Sequence, residues 1–178
     1  MDYLLNLDSG ILLWIQEVLR NDILTPIFIF ITKLGNGGIL WIVISILLLF
    51  SKKTRTIGFM SLLSLAASAL IVNVCLKNLV ARVRPYEVIT GLKLLVERQS
   101  DFSFPSGHAA SSFASASIFL WEFPKKIGIP FMILAGLIAF SRLYVGVHYP
   151  LDVLAGILIG VLLAWIVKKV CSRLKCQE

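Results

Sequence analysis

Apolar positions in this chain fall into long runs separated by short polar stretches. Residues 3–19 carry Leu4, Leu7, Ile11, Ile15 and Val18 at helical spacing, with Asp2, Asn6, Gln16 and Glu17 on the other side. That pattern predicts an amphipathic helix lying at a membrane interface. Residues 23–34 are apolar but short for a span and predict a tilted or packed helix. Asn36, Gly37 and Gly38 predict a turn. The apolar run 39–50 stops at Ser51, Lys52, Lys53 and Arg55. Residues 57–76 match a full span of about 20 residues. Residues 80–104 are polar and mixed and read as a loop. Further helices are predicted over 106–123, 127–140 and 151–167. The expected fold is all-α and polytopic, a single membrane-embedded domain over residues 1–178. It has about six transmembrane helices behind an N-terminal interfacial helix over residues 1–20. Small residues over 66–69 and 109–117 predict close helix packing in lipid.

Composition agrees with a membrane protein. Of 178 residues, 58% are hydrophobic and 15% charged, and the mean hydropathy is +0.89; soluble domains are far more polar. The net charge of +7 would suggest nucleic acid in a soluble protein. Here most cations sit at the ends of apolar runs, so anchoring at a membrane surface explains them and no nucleic-acid partner is expected. Cys75, Cys171 and Cys176 form no C-x-x-C, and free thiols without a redox or metal role are expected. The start MDYLLNLDSG has neither a basic n-region nor a cleavage site, so no signal peptide is expected.

The cations also predict sides. Lys52, Lys53 and Arg55 form one cluster, Lys125 and Lys126 a second, and Lys168, Lys169, Arg173 and Lys175 a third, each two spans after the last. All fall on one side, which the positive-inside rule makes cytoplasmic. Lys33, Lys77, Arg82, Arg84, Lys93, Arg98 and Arg142 then fall on the outer side. That side should be poor in cations, and a cradle for an anion such as phosphate accounts for them.

Three constellations meet in this outer layer. In SRLYVGVHYPLD (141–152), ionisable groups lie between two apolar runs, which marks a functional site by default. Pro150 suits the first turn of a helix and places Asp152 there. His148 then lies on the preceding loop, within reach of that carboxylate. A carboxylate holding one imidazole nitrogen leaves the other free to attack or to accept a proton. In KNLVARVRP (77–85), Lys77 and Arg84 share a helix face if the helix persists to Pro85; snorkelling of basic side chains is the bland alternative. In FPSGH (104–108), Ser106 is a candidate N-cap. The backbone N–H groups of Ser106, Gly107 and His108 could point at an anion. Ser106 as a nucleophile is a rival idea, but the stretch is not G-x-S-x-G and no strand precedes it.

K-x6-RP at Lys77, Arg84 and Pro85, PSGH at 105–108 and SR-x5-H-x3-D at 141–152 resemble the three signature motifs of the type 2 phosphatidic acid phosphatase superfamily, in order and in internal spacing. The motifs span 77–152, and the hydropathy resembles the membrane branch. The resemblance implies a metal-independent phosphatase with no cofactor. In it His148 attacks phosphorus to form a phosphohistidine, Asp152 orients that ring, and His108 protonates the leaving oxygen and then activates water. It further implies that Lys77, Arg84 and Arg142, with Ser106 and the Gly107 amide, hold the phosphoryl oxygens. Neither a carboxylate cluster nor a three-histidine set suggests a metal site.

The expected activity is hydrolysis of a lipid phosphate or diphosphate on the extracytoplasmic face of the cytoplasmic membrane, with membrane lipids as further partners. By the resemblance, undecaprenyl diphosphate is the favoured substrate, and phosphatidic acid or phosphatidylglycerophosphate the alternative. A non-catalytic lipid-phosphate binding or transport protein would use the basic layer but would not need His148 and Asp152. A pore or transporter would place polar residues through the spans, which here are largely apolar apart from serines.

Overall fold

The computed structural model describes residues 2–175, with side chains described from Asn6 to Arg173. All regular elements among the described residues are helical. They are α1 (Asp2–Trp14, continued by wider π-type turns over Ile15–Leu19), α2 (Leu24–Leu34), α3 (Ile39–Leu49), α4 (Arg55–Ser68), the short α5 (Lys77–Val80) and α6 (Pro85–Val88), α7 (Gly107–Glu122), α8 (Lys125–Tyr144) and α9 (Pro150–Lys175). π-type turns over Ala69–Leu76 join α4 to α5.

By length and hydropathy, three helical stretches among the described residues suffice to cross a membrane: Arg55–Val88, Lys125–Tyr144 and Pro150–Arg173. The bent pair α2–α3 could add a fourth, against the six expected. Two features lower the number. First, α7 has only 16 residues, shorter than the usual span of about 20. Second, both ends of α2 reach the same layer. Arg20, just before it, donates to the carbonyls of Tyr144 and Lys93, and Asn36, just after it, contacts His108. Gly37 and Gly38, at φ 58° and 67°, then turn the chain through 47° into α3.

The N-terminal helix forms. Of its expected apolar face, Ile15 is buried and Ile11 partly buried, while Leu7 and Val18 are exposed; the side chain of Leu4 lies outside the described residues. Asp8 and Leu12, outside that set, are buried as well. Gln16 donates to the Gly91 carbonyl and accepts from the Lys93 amide. The helix is therefore seated partly on protein. Cys75 and Cys171 are free thiols, and Cys176 lies outside the described residues.

A second expectation fails at the end of α5. Ala81 is left-handed (φ 49°) and Arg84 extended (φ −75°, ψ 150°), so Lys77 and Arg84 do not share a helix face. Pro85 disfavours helical geometry at Arg84, the residue before it, and the helix has already ended at the left-handed Ala81. Elsewhere the local signals hold. Pro150 opens α9 with Asp152 in its first turn. Ser106 caps α7, its Oγ accepting from the Ala109 N–H at 3.5 Å.

Helix α7 is central and packs against α9, α8 and α4. Its contact with α9 is made by small residues. Gly156 and Gly160, a G-x-x-x-G pair, face Ala109, Ala110 and Ala114. A Cβ at Gly156 would lie 2.5 Å from the Ser106 carbonyl oxygen, and one at Gly160 would overlap the Ala110 carbonyl. Buried serines tie α3, α4 and α7 together: Ser45 Oγ donates to Ser61 Oγ at 2.7 Å, and Ser61 Oγ to Ser115 Oγ at 3.0 Å. Trp41 Nε1 donates to Ser112 Oγ at 3.0 Å.

This packing predicts a contrast between two glycines. Gly160→Leu should destabilise by at least the roughly 1–3 kcal/mol of an overpacked core, lowering the thermal midpoint in detergent. Gly136→Leu, at a position with nothing within 4 Å of the added Cβ, should leave the midpoint unchanged.

Candidate active site

The ends of α5, α7 and α8 nearest the 81–106 segment, the end of α4 and the loop before α9 converge on one cavity of about 440 Å³. The local structure of each end puts a functional group there. The last turn of α8 carries Arg142, and the turn after it positions His148. The first turn of α7 carries His108, and α5 opens with Lys77. Arg84 comes in on the extended segment that Pro85 enforces. Its Nη1 donates to the Val147 carbonyl at 2.8 Å, which ties it to the histidine loop.

Lys77, Arg84, Arg142 and His148 are each at most 5% exposed, and Asp152 is fully buried. Three buried cations around one cavity favour an anion, because few solvent molecules remain to screen them. One carboxylate is already present. Asp101 pairs with Lys77 and with Arg84. Burial alone would raise its pKa, but the Lys77 hydrogen bond and the charges of Lys77 and Arg84 outweigh it and hold the carboxyl at about 2. Arg142 donates through Nη1 to Thr32 Oγ1 at 2.6 Å. Its Nε is buried with no partner among the described residues, so a donor is left over for a ligand.

His148 lies with Nδ1 3.7 Å from Asp152 Oδ2. Ser103 Oγ bridges this gap, 3.5 Å from Nδ1 and donating to Oδ2 at 2.5 Å. The Tyr149 N–H also donates to Oδ2, at 3.0 Å. Burial pushes the His148 imidazole down to about 3, opposed by the nearby Asp152 carboxylate and reinforced by Arg142 and Arg84. The ring is therefore neutral at physiological pH and carries a free lone pair, as a nucleophile requires. His108 Nε2 is 3.0 Å from Asn36 Oδ1. An amide oxygen there needs a proton on Nε2, the atom a general acid would use. Gly35 packs so tightly on this ring that an added Cβ would lie 2.6 Å from His108 Cδ2.

Of the expected site residues, Lys77, Arg84, Gly107, His108, Arg142 and His148 line the cavity, and Asp152 backs it from behind His148. Ser106 departs from expectation. It is fully buried off the cavity lining, and its amide donates to the Asp152 carbonyl at 3.0 Å, so it is not free for an anion. Arg82 also departs from the anion cradle and turns instead to Asp8 and Asp152. Gly107 is explained by a close approach: a Cβ would lie 2.7 Å from Asn73 Oδ1. Sequence reasoning missed Asp8, Asn36, Asn73, Asp101 and Ser103. Asn73 had a usable signal, an amide inside an apolar run. The others, in turns, loops or an amphipathic helix, had none. Among the described residues no group of three or more His, Cys, Asp or Glu is gathered as a metal site would need.

Comparison with known proteins agrees with this geometry. The family model described as the PAP2 superfamily matches residues 58–175. An undecaprenyl-diphosphatase from Sulfolobus acidocaldarius is 38% identical over 143 residues, covering 80% of this chain and 67% of that protein. The crystal structure of a transmembrane PAP2-type phosphatidylglycerolphosphate phosphatase from Bacillus subtilis superposes with a TM-score of 0.82 at 31% identity, covering 97% of this chain and 88% of that one. LpxE from Aquifex aeolicus superposes with a TM-score of 0.80 at 27% identity, covering 90% and 93%. Together with three motifs brought to one cavity, these matches show that the chain belongs to the PAP2 superfamily, as one of its multi-pass membrane lipid phosphatases.

Proposed function

We propose that this phosphatase removes the terminal phosphate of a polyprenyl diphosphate of the undecaprenyl type, with phosphatidylglycerophosphate or phosphatidic acid as the alternative substrate. The observation that carries the reading is one cavity that pairs an anion cradle with an apolar wall. Lys77, Arg84 and Arg142 lie at one end, and Ile42, Leu62, Leu65, Ala66 and Ala69 at the other. A phosphate with a long isoprenoid tail fits both ends. The Sulfolobus relative named for undecaprenyl diphosphate favours that lipid.

The chemistry follows from the side chains. Substrate phosphate replaces the Asp101 carboxylate on Lys77 and Arg84 and takes the spare Arg142 donor. His148 Nε2 attacks phosphorus while Asp152 and Ser103 face Nδ1, so the positive charge that develops on the ring meets a carboxylate. The P–O bond to the leaving group breaks, and His108, held by Asn36 and protonated on both ring nitrogens once the negative charge of the bound phosphate is beside it, gives its Nε2 proton to the departing oxygen and becomes neutral. Water activated by His108 then cleaves the P–N bond, releasing phosphate and regenerating His148. The whole chain acts as one unit, in which α1 closes the layer that the three motifs build.

For the topology we read α3, α4, α7, α8 and α9 as crossing in turn, with α7 a short crossing enclosed by α4, α8 and α9, while α1 and α2 stay in the layer of the site. This puts residues 51–54, 123–124 and the end of α9 on one side; the Lys168–Glu122 ion pair at 2.8 Å joins two of these three places. Positive-inside bias makes that side cytoplasmic and puts the active site on the outer face of the cell membrane. Single cysteines at Lys52 or Lys125, in a background without native cysteines, should resist a membrane-impermeant thiol reagent in intact cells. One at Thr90 should react. The reverse pattern overturns the outer-face assignment.

Purified protein in detergent, supplied with a polyprenyl diphosphate, phosphatidylglycerophosphate and phosphatidic acid in parallel, tests the substrate. The diphosphate should give the highest kcat/KM, and His148→Ala should abolish turnover of all three. A preference for either glycerolipid moves the assignment to the alternative.

The roles of the two histidines separate by leaving group. His108→Ala should cost about 10²–10⁴ in single-turnover rate on a lipid phosphate, and much less on an aryl phosphate whose oxygen needs little protonation. His148→Ala should lose both substrates alike. A phosphoenzyme that still forms without His148 reverses the roles.

A further inference from the structure

We propose that Asp8 and Arg82 are positioning residues for the nucleophile, extending the His148–Asp152 pair into a chain Asp8–Arg82–Asp152–His148. The proposal rests on His148 acting as the nucleophile. Arg82 does not line the cavity. Its guanidinium forks backwards, Nη1 donating to Asp152 Oδ1 and Nη2 to Asp8 Oδ2, each at 2.7 Å. The guanidinium lies 3.8 Å from the centre of the Tyr149 ring, directly beside the histidine loop. The other oxygen of Asp8 accepts from the Leu151 N–H at 3.1 Å, one of the first-turn amides of α9 with no partner inside the helix.

This arrangement does two things. It fixes the Asp152 carboxylate, with Oδ1 on Arg82 and Oδ2 on Ser103 and the Tyr149 amide. The oxygen that faces His148 Nδ1 therefore cannot exchange with the other. It also sets the charge. Asp152 paired with Arg82 alone would be neutral and would offer little to an imidazolium forming at His148. Adding Asp8 brings the three groups to a net −1, which the charge developing on the ring neutralises. Both carboxylates are fully buried, so solvent does not screen this effect away. Only a planar fork reaches two carboxylates at once; a lysine nitrogen is a single point charge. Asp8 lies before the matched family region, which begins at residue 58, so this chain recruits its N-terminal helix to the reaction centre.

The test uses the full chain in detergent with Asp8→Asn, Arg82→Lys and Arg82→Met. Asp8→Asn keeps the shape and an oxygen for the Leu151 N–H but loses the charge. It should lower the rate of phosphoenzyme formation and kcat roughly 10–100-fold, the range seen when partners behind a ligating histidine are removed. KM should stay near its wild-type value and so should the thermal midpoint, which a purely structural role would not allow. Arg82→Lys should not restore the rate lost in Arg82→Met. If the Arg82 variants fail to fold, Asp8→Asn carries the test alone. Wild-type kcat in Asp8→Asn overturns the proposal. A wild-type chain that turns over no lipid phosphate fails the activity reading instead, and ring ¹⁵N shifts of His148 then decide. A proton held on Nδ1 in the wild type and shared between both nitrogens in Asp8→Asn supports the clamp; identical shifts overturn it.

Discussion

The layer that holds the site depends on a carboxylate kept charged where no water reaches it. Asp152 is fully buried in the first turn of α9, and an unpaired charge there would be costly. Arg82, Ser103 and the Tyr149 amide remove that cost, and satisfying them dictates much of the surrounding chain. The 81–106 segment must bring Arg82 and Ser103 to the same carboxylate. The Ser106 amide donates to the Asp152 carbonyl, which joins the start of α7 to the start of α9. The N-terminal helix must bury Asp8 against the other side of Arg82.

The cradle follows the opposite logic. Lys77, Arg84 and Arg142 repel one another in a poorly solvated space, and Asp101 is the one carboxylate paired with two of them. Such a set is stable with a carboxylate in place and equally suited to a phosphate, which presents more oxygens to the same donors. His148 sits beside it as a neutral ring because burial and two nearby guanidinium groups oppose its protonation. Cations that would destabilise a core thus form a cradle suited to a phosphate and keep the His148 ring unprotonated.

These charged groups sit where they do because the helices beneath them approach closely. Gly156 and Gly160 let α9 lie directly on the backbone of α7, and the serine ladder from Ser45 to Ser115 holds α3 and α4 alongside. In lipid, where apolar burial does not drive helix association, close contact and interhelical hydrogen bonds supply it. His108 and His148 are carried by α7 and by the loop into α9, so their separation is set by this glycine contact.

The helical class, the membrane setting, the long apolar helices and the three motifs could be read along the chain, because these are local. Hydropathy needs only neighbours in the chain, Pro150 and Ser106 act within a turn, and motif spacing is read directly. The family's activity and six of the eight expected site residues at the cavity were legible for the same reason. What depends on partners far apart in the chain emerged with the folded molecule. Asp8 reads as a polar residue on an amphipathic helix until Arg82, 74 positions away, accounts for its burial. Arg82 reads as part of the cradle until two carboxylates on the far side claim it, and Ser106 as an anion donor until the Asp152 carbonyl does. Asp101 and Ser103 sit in a loop without periodicity, where no pattern shows which side chains face inward. Helix α2 is apolar enough to read as a membrane helix, yet polar contacts tie its two ends to the ends of α8 and α7. Hydropathy records how well a segment tolerates lipid, and the path it takes through the molecule is set by the polar contacts at its ends.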